Sequence, residues 1–226
     1  MISSTAAASA VATDALARPD AGTLAILGYG EQAGTHIQAI SRVRPLSAVT
    51  VWGRDPEKAS AFAREMSQAT GLSVSPSPDA RSAVASADIV CAVTNAREPI
   101  LLGQWLRPGT HVNLVGSSVA GPVEVDSDLV VASRFIADSR EGVLAQGAEF
   151  LRARSAGLIG DQPEHVPSFA RTLPCRSDKR AMTPKDEAEG EVANGSTGLQ
   201  RVIDRQKHRT TINRSEERRV GKECLR

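Results

Sequence analysis

Three small residues at fixed spacing, Gly28, Gly30 and Ala33, form a Gly-x-Gly-x-x-Ala pattern within LGYGEQAGTHI. In such a pattern the first glycine permits a tight turn and the second lets the backbone approach a pyrophosphate. Backbone N–H groups at the start of the following helix then face the phosphates. The pattern predicts a dinucleotide-binding turn, and the alternative is an ordinary strand-to-helix turn whose glycines serve geometry alone. The residues predicted to contact the cofactor here are Gly28, Tyr29, Gly30, Glu31 and Gln32.

The end of the second predicted strand bears on the choice of cofactor. A site that prefers NAD has Asp or Glu there, to accept from the ribose 2′-hydroxyl. This chain has Gly53 and Arg54, and Asp55 comes one residue later, where we expect it to point elsewhere. An arginine can pair with a 2′-phosphate and stack on adenine. We therefore favour NADP over NAD, although an arginine at this place is also common as a solvated turn residue.

Small and polar residues follow the third and fourth predicted strands. The carboxyl ends of parallel strands share one edge of the sheet, where ligands bind in open α/β folds. We therefore predict contacts to the ribose and nicotinamide from Thr94, Asn95, Val115, Gly116 and Ser117. The alternative for the first pair is that Thr94 and Asn95 only cap the following turn.

The remaining titratable residues indicate no catalytic group. We expect His36 to be a surface or packing residue, Cys91 a buried small hydrophobe, and Asp126 and Asp128 helix caps or loop carboxylates. No Ser-His-Asp triad or metal cluster is evident, so neither a catalytic residue nor a metal is assigned. From the residues alone, the chain is predicted to be a Rossmann dinucleotide-binding domain of an oxidoreductase.

Composition narrows the class of protein further. The chain has 226 residues, and its net charge of +1 argues against a general nucleic-acid-binding surface. Its three cysteines are far apart and form no CxxC pair, which fits a reducing compartment. No apolar run approaches the length of a membrane span, and the first residues lack the features of a signal peptide. We therefore expect a cytoplasmic protein with neither nucleic acid nor membrane as a partner.

The elements that must position these residues alternate along the chain. Apolar runs predict strands at 23–27, 48–52, 87–93, 111–115 and 134–137. Helical patterns occupy 4–16, 31–44, 56–66, 79–86 and 140–154. Such alternation predicts an α/β fold with a doubly wound parallel sheet. The expected organisation is a leading helix in 1–21, a dinucleotide-binding domain in 22–161 and a tail in 162–226.

Several motifs, in this order along the chain, resemble the ornithine cyclodeaminase/mu-crystallin family. They are STAAASAVATDALARPDAGTLAILGYGEQAGTHIQAI, VWGRDPEKASAFA, ADIVCAVTNAREPIL, WLRPGTHVNLVGSS, EVDSDLV and AEFLRARSAGLIGD, and together they span about residues 4–161. The resemblance implies a Rossmann domain that binds NAD(P), beside a substrate and dimerisation domain. It also implies hydride transfer between a nicotinamide and a small amino acid or cyclic imine, by a protein that forms a homodimer at full length.

Two departures from the family pattern concern the substrate. Family members usually have an arginine that helps hold the substrate carboxylate where this chain has Ser4. Cyclodeaminases have a catalytic aspartate where this chain has Ser118, which favours an imine reductase or amino-acid dehydrogenase. The substrate half that precedes Ser4 in the family is also missing. We therefore expect a cofactor-binding fragment that is inactive alone, with a non-catalytic dinucleotide-binding module as the alternative.

The tail at 162–226 differs in character from the rest of the chain. Family likeness stops near Asp161, and RSEERRVGKEC at 214–224 resembles a translated sequencing adapter. We expect an artefact of a frameshift or joined sequence, and the alternative is a basic, disordered tail that binds a partner.

Overall fold

One parallel five-stranded sheet organises the protein. The computed structural model describes residues 2–116 and 121–160. The strands are β1 Thr23–Leu27, β2 Ala48–Trp52, β3 Val74–Pro76, β4 Ile89–Ala92 and β5 His111–Leu114. They lie in the order β3-β2-β1-β4-β5, and every neighbouring pair is parallel. This is the order of a Rossmann dinucleotide-binding sheet, so the predicted fold class is confirmed.

Helices cover both faces of this sheet. In chain order they are α1 Ser4–Leu16, α2 Glu31–Ile40, α3 Pro56–Thr70, α4 Ala80–Val84, α5 Ser127–Ala132, α6 Arg140–Gln146 and α7 Ala148–Ser155. No helix in the described ranges is both long and apolar enough to cross a membrane.

The core lies in two layers because the central strands are buried on both faces. On one face, Ile26 packs with Val51 of β2 and Ile37 of α2. On the other, Leu27 packs with Val84 of α4 and Val90 of β4. Continuous apolar strands are expected wherever helices cover both sides of a parallel sheet. The same burial fixes the register that brings the carboxyl ends of the strands to one edge.

Four of the predicted strands exist, and the differences lie at the periphery. The pattern missed β3, an edge strand of three residues that ends in proline. The strand predicted at 134–137 is wrong, because those residues join no strand of the sheet. Phe135 instead packs against Phe150, with ring centroids 5.8 Å apart. The helix predicted at 140–154 is two helices divided at Gly147, and the tail at 162–226 lies outside the described residues.

The helix predicted at 31–44 ends at Ile40, so Arg44 lies outside it. Its side chain contacts the end of α1 instead. The Arg44 guanidinium donates to the carbonyl oxygens of Thr13, Asp14 and Ala17, at 3.1, 2.9 and 3.2 Å. It also pairs with the Asp14 carboxylate at 2.9 Å. A cation at the last carbonyls satisfies orphan acceptors and complements the helix dipole. Arg44 therefore caps α1 and holds it on the sheet domain.

A half-buried carboxylate fixes the opposite edge of the sheet, where the strands begin. Asp88 accepts from the backbone N–H groups of Gly22 and Thr23 and from the Thr23 hydroxyl, at 3.1, 3.1 and 2.8 Å. Arg18 pairs with its other oxygen at 2.7 Å. Burial alone would raise the pKa of Asp88, but these hydrogen bonds lower it to about 2. The ionised carboxylate therefore ties β1 to β4.

Asp88→Asn is expected to lower the free energy of unfolding at neutral pH by roughly 2 kcal/mol, because the folded state favours the ionised form. The folded pKa lies below the ordinary value of 3.8, so the stabilisation is present above that pH. It should fade as the pH falls from 3.8 towards 2. Urea unfolding at a series of pH values measures this.

Asp20→Asn is the matched control, because Asp20 shares Arg18 but its side chain is 80% exposed. It should change the free energy of unfolding by less than about 0.5 kcal/mol. Equal losses in the two variants, or a loss in Asp88→Asn that does not shrink at low pH, would contradict the assignment.

Candidate functional site

The glycine turn joins the end of β1 to the start of α2. Gly28 has a φ of 117°, and a Cβ on it would lie 2.8 Å from the Val93 carbonyl oxygen. Gly28 therefore requires glycine both for its backbone conformation and for its contact with the β4 strand end. Ala33 is fully buried, which lets α2 approach the sheet. The turn thus has the geometry that the sequence pattern predicts.

Gly30 begins α2 and leaves an open space above the helix N-terminus. It has no side chain to cap the helix, so no such hydrogen bond forms. Within the described part of the chain, no atom lies within 4 Å of the place that a Cβ on Gly30 would occupy. The first N–H groups of a helix lack intrahelical partners and attract anions. The space and the donors therefore fit a phosphate.

The side chains of Gln32 and Glu31, also predicted to contact the cofactor, differ in their surroundings. The Gln32 side-chain oxygen accepts from the Ser3 hydroxyl at 2.9 Å. Since Ser3 caps α1, this bond places the start of α1, including Ser4, beside the glycine turn. The Glu31 carboxylate is exposed in the first turn of α2 and would repel a phosphate. Any contact of Glu31 with a phosphate must then come from its backbone.

The end of β2 lies beside the glycine turn. The Tyr29 ring lies directly against Gly53, so closely that a Cβ at position 53 would overlap the ring. Asp55 caps α3 by accepting from the N–H groups of Glu57 and Lys58, both at 3.1 Å. The Asp55 carboxylate is thus used within α3. The Arg54 side chain is exposed and makes no hydrogen bond or ion pair with the rest of the described chain.

The ends of β4 and β5 meet on the other side of β1. A Cβ on Gly116 would overlap the Thr94 carbonyl oxygen, so the two loops touch. The Thr94 hydroxyl also accepts from the Ala96 N–H at 3.2 Å, so it does cap the following turn. Asn95 is exposed, and Val115 is half-buried and donates to Ala92. Ser117 and Ser118 lie outside the described residues.

Glu124 is a residue of this edge that the sequence analysis missed. Its side chain is fully buried, yet its carboxylate accepts three hydrogen bonds. One oxygen accepts from the Thr94 N–H and hydroxyl at 2.6 and 2.8 Å, and the other from the Gly116 N–H at 2.7 Å. Burial raises the pKa of Glu124, while these bonds act in the opposite direction. The only sequence signal was a charged residue between two valines.

The other titratable candidates have structural roles. His36 is fully buried and contacts the Ser9 hydroxyl at 3.1 Å, so it is a packing residue between α1 and α2. Cys91 is fully buried, and burial raises the pKa of its thiol to about 12. Asp126 caps α5, and Asp128 lies exposed in that helix's first turn. Among residues 2–116 and 121–160, no group of three or more His, Cys, Asp or Glu could hold a metal ion.

These positions, Ser117 apart, lie along one edge of the sheet. The glycine turn lies at the centre, the end of β2 on one side, and the ends of β4 and β5 on the other. In sheets of this order the ligand binds where the chain reverses direction, beyond the carboxyl ends of the strands. The open cradle at Gly30 and the close packing at Gly28 fit a pyrophosphate. Actual contact of each predicted residue with a cofactor stays a prediction.

Known proteins match the described region over most of its length. The family model described as "Ornithine cyclodeaminase/mu-crystallin family" matches residues 2–161. A Δ1-pyrroline-2-carboxylate reductase of Paracoccus denitrificans is 38% identical over 158 residues, which cover 69% of this chain and 49% of the relative. The ketimine reductase mu-crystallin of Mus musculus is 36% identical over 168 residues, covering 71% of this chain and 52% of the relative.

A solved structure supports the same comparison. The Δ1-pyrroline-2-carboxylate reductase of Thermococcus litoralis, in complex with NADH and L-proline, aligns with a TM-score of 0.69 and 38% identity. The alignment covers 73% of this chain and 50% of the reductase. The chain therefore spans about half the length of the relatives that it matches.

Proposed function

The chain belongs to the ornithine cyclodeaminase/mu-crystallin family, and on that basis we propose that it is the cofactor-binding part of an NAD(P)-dependent oxidoreductase. The observation that carries the proposal is the uncapped, open N-terminus of α2 at Gly30, beside the obligatory glycine at position 28. The nicotinamide of such a cofactor donates or accepts a hydride. The residues of this chain would bind and orient that cofactor at the carboxyl edge of the sheet.

The proposed substrate is a small amino acid or a cyclic imine. The support is the resemblance to relatives named as pyrroline-2-carboxylate and ketimine reductases. By the same resemblance, Ser4 stands where family members usually have a carboxylate-binding arginine, and its hydroxyl carries no charge to pair with a carboxylate. We therefore propose that this chain binds the cofactor but turns over substrate little or not at all by itself. Homodimer formation by the complete protein stays a prediction.

A non-catalytic dinucleotide-binding module is the alternative function. It shares the cofactor site and differs in what happens when a substrate is present. Titration with NADPH and NADH, followed by their fluorescence, tests both functions at once. Absence of binding by either cofactor at millimolar concentration would overturn both. In the complete protein, oxidation of bound NADPH on addition of Δ1-pyrroline-2-carboxylate would support the enzyme over the module.

For the cofactor, we propose NADP in preference to NAD. The Tyr29 ring occupies the space that an acidic side chain at position 53 would need, and Asp55 is committed to capping α3. Neither position 53 nor Asp55 therefore offers a carboxylate to accept from a ribose 2′-hydroxyl or to repel a 2′-phosphate. The exposed Arg54 guanidinium is available to pair with that phosphate.

Arg54→Asp is expected to weaken NADPH binding by about 10-fold to 100-fold, because a charge-assisted contact is replaced by repulsion. NADH binding should change little, so the order of the two affinities should reverse. Calorimetric titration of both cofactors measures this. Arg64→Asp, with the same charge change on the exposed face of α3, is the control and should preserve the order. An unchanged preference in Arg54→Asp would rule out this contact.

A further inference from the structure

The carboxylate of Glu124 joins the two loops that follow β4 and β5. We propose that Glu124 is a positioning residue that holds these loops in the arrangement that receives the nicotinamide half of the cofactor. The proposal rests on the proposed dinucleotide-binding function and deepens it. We call the contact of Glu124 with Thr94 and Gly116 the carboxylate bridge.

The carboxylate bridge spans two loops that no strand pairing connects at this point. One oxygen of Glu124 accepts twice from Thr94, and the other accepts from the Gly116 N–H. Thr94 and Gly116 each lie two residues beyond the end of a strand, because β4 ends at Ala92 and β5 at Leu114. A single side chain thus holds the two loops together beyond the paired ends of their strands. Carboxylate hydrogen bonds of this kind are roughly twice as strong as neutral ones.

The backbone of Glu124 is itself fixed, so its side chain has a defined origin. The Glu124 carbonyl oxygen accepts from the N–H groups of Ile100 and Leu101, at 2.9 and 3.1 Å. Its own N–H donates to the buried Glu149 carboxylate at 2.8 Å. A fully buried side chain with a fixed backbone and three hydrogen bonds has one available conformation. Movement of Thr94 or Gly116 then requires breaking the bridge.

The surroundings of the bridge accept a carboxylate and reject close substitutes. All three groups that face the Glu124 oxygens are donors, so the amide nitrogen of a glutamine would oppose a donor. There is no room for a side chain at position 116, since a Cβ there would lie 2.8 Å from Glu124 Oε1. An acceptor at position 124 and glycine at 116 therefore form a matched pair.

The carboxylate bridge lies on the side of the site where we expect the nicotinamide half of the cofactor. The glycine turn lies between β2 and β4, and the bridge lies on the β4–β5 side. The adenosine half is expected at the end of β2, near Gly53 and Arg54. The other half then extends over Thr94 and Gly116. Loss of the bridge should consequently weaken contacts to the nicotinamide and its ribose and leave the adenosine contacts intact.

The test compares a whole cofactor with its adenosine half in the full 226-residue chain. The dinucleotide probe is whichever of NADPH and NADH binds this chain more tightly. The half-molecule probe is adenosine 2′,5′-bisphosphate for NADPH or AMP for NADH. Glu124→Gln is expected to weaken the dinucleotide by about tenfold and the half-molecule by less than about twofold. The fluorescence change of the reduced nicotinamide on binding should also be reduced. Calorimetry and fluorescence titration measure these two effects.

Asp126→Asn is the matched control for a merely structural carboxylate. Asp126 also accepts from two backbone N–H groups, those of Gly103 and Leu129, but it bridges neither loop of the site. Its substitution should leave the ratio of the two affinities unchanged. If Glu124→Gln does not fold, Glu124→Asp replaces it, because its shorter side chain cannot span both loops.

The outcomes separate this proposal from the one on which it rests. A selective loss of dinucleotide binding in the position-124 variant supports the carboxylate bridge. Equal weakening of both ligands, or no weakening, overturns the bridge while leaving the dinucleotide function in place. Failure of the unsubstituted chain to bind either dinucleotide overturns the function itself, and the bridge with it.

Discussion

Gly30→Leu is expected to weaken NADPH binding at least about 100-fold while leaving the stability of the fold almost unchanged. A Cβ at position 30 would meet no described atom outside its chain neighbours within 4 Å, and the backbone φ of −81° suits any residue. The new side chain would instead occupy the space above the α2 N-terminus. It would block the approach of a phosphate to the helix N–H groups and so remove their contribution to binding.

Fluorescence titration and thermal unfolding of the same samples check this result. Ala61→Leu adds an equally apolar side chain at an exposed position on α3 and should affect neither quantity. Undiminished NADPH binding in Gly30→Leu would mean that the cofactor does not lie against this turn. A large drop in melting temperature would instead show that the space is needed for packing.

Gly28→Ala is expected to have the opposite signature, a loss of about 3 kcal/mol or more in the free energy of unfolding. The φ of 117° is unfavourable for alanine, and the added Cβ would lie 2.8 Å from the Val93 carbonyl oxygen. Because that oxygen belongs to the backbone at the end of β4, relief requires separation of the two central strands. Cofactor binding should fall as a consequence of the distorted turn.

Urea unfolding of Gly28→Ala measures the loss, and Gly71→Ala separates its two causes. Gly71 also has a positive φ, 71°, but a Cβ there would have open space around it within the described chain. Its substitution should lower the free energy of unfolding by only about 1 kcal/mol, because it strains the backbone conformation and creates no close contact. Similar losses in the two variants would show that the contact with Val93 contributes nothing.

The sequence was sufficient to predict the central strands and the glycine turn because local chemistry determines them. The strand Thr23–Leu27 is buried on both faces and therefore appears as a continuous apolar run. The positive φ of Gly28 is a local requirement for glycine, and with Gly30 and Ala33 it forms a pattern that lies within six consecutive residues. The alternation of strands and helices then identified the fold class, and the order of the motifs indicated the family.

The parts that could not be predicted depend on contacts distant in the chain. The segment at 134–137 resembles a strand in sequence, but Phe135 packs on Phe150 and not within the sheet. The strand Val74–Pro76 carries little apolar signal, because Ser75 and Pro76 are both exposed at the sheet edge. Glu124 reaches Thr94 across 30 residues, and nothing local distinguishes it from a solvated carboxylate. Long-range polar contacts of this kind leave no periodic trace in a sequence.

The packing of Tyr29 on Gly53 has a consequence for how cofactor preference could change during evolution. An acidic residue introduced at position 53 alone would collide with the aromatic ring. Loss of the ring alone would leave Gly53 uncovered without supplying a partner for a ribose hydroxyl. The two substitutions are therefore epistatic: neither gives an advantage without the other. An acidic residue at position 53 would therefore require the loss of the Tyr29 ring as well.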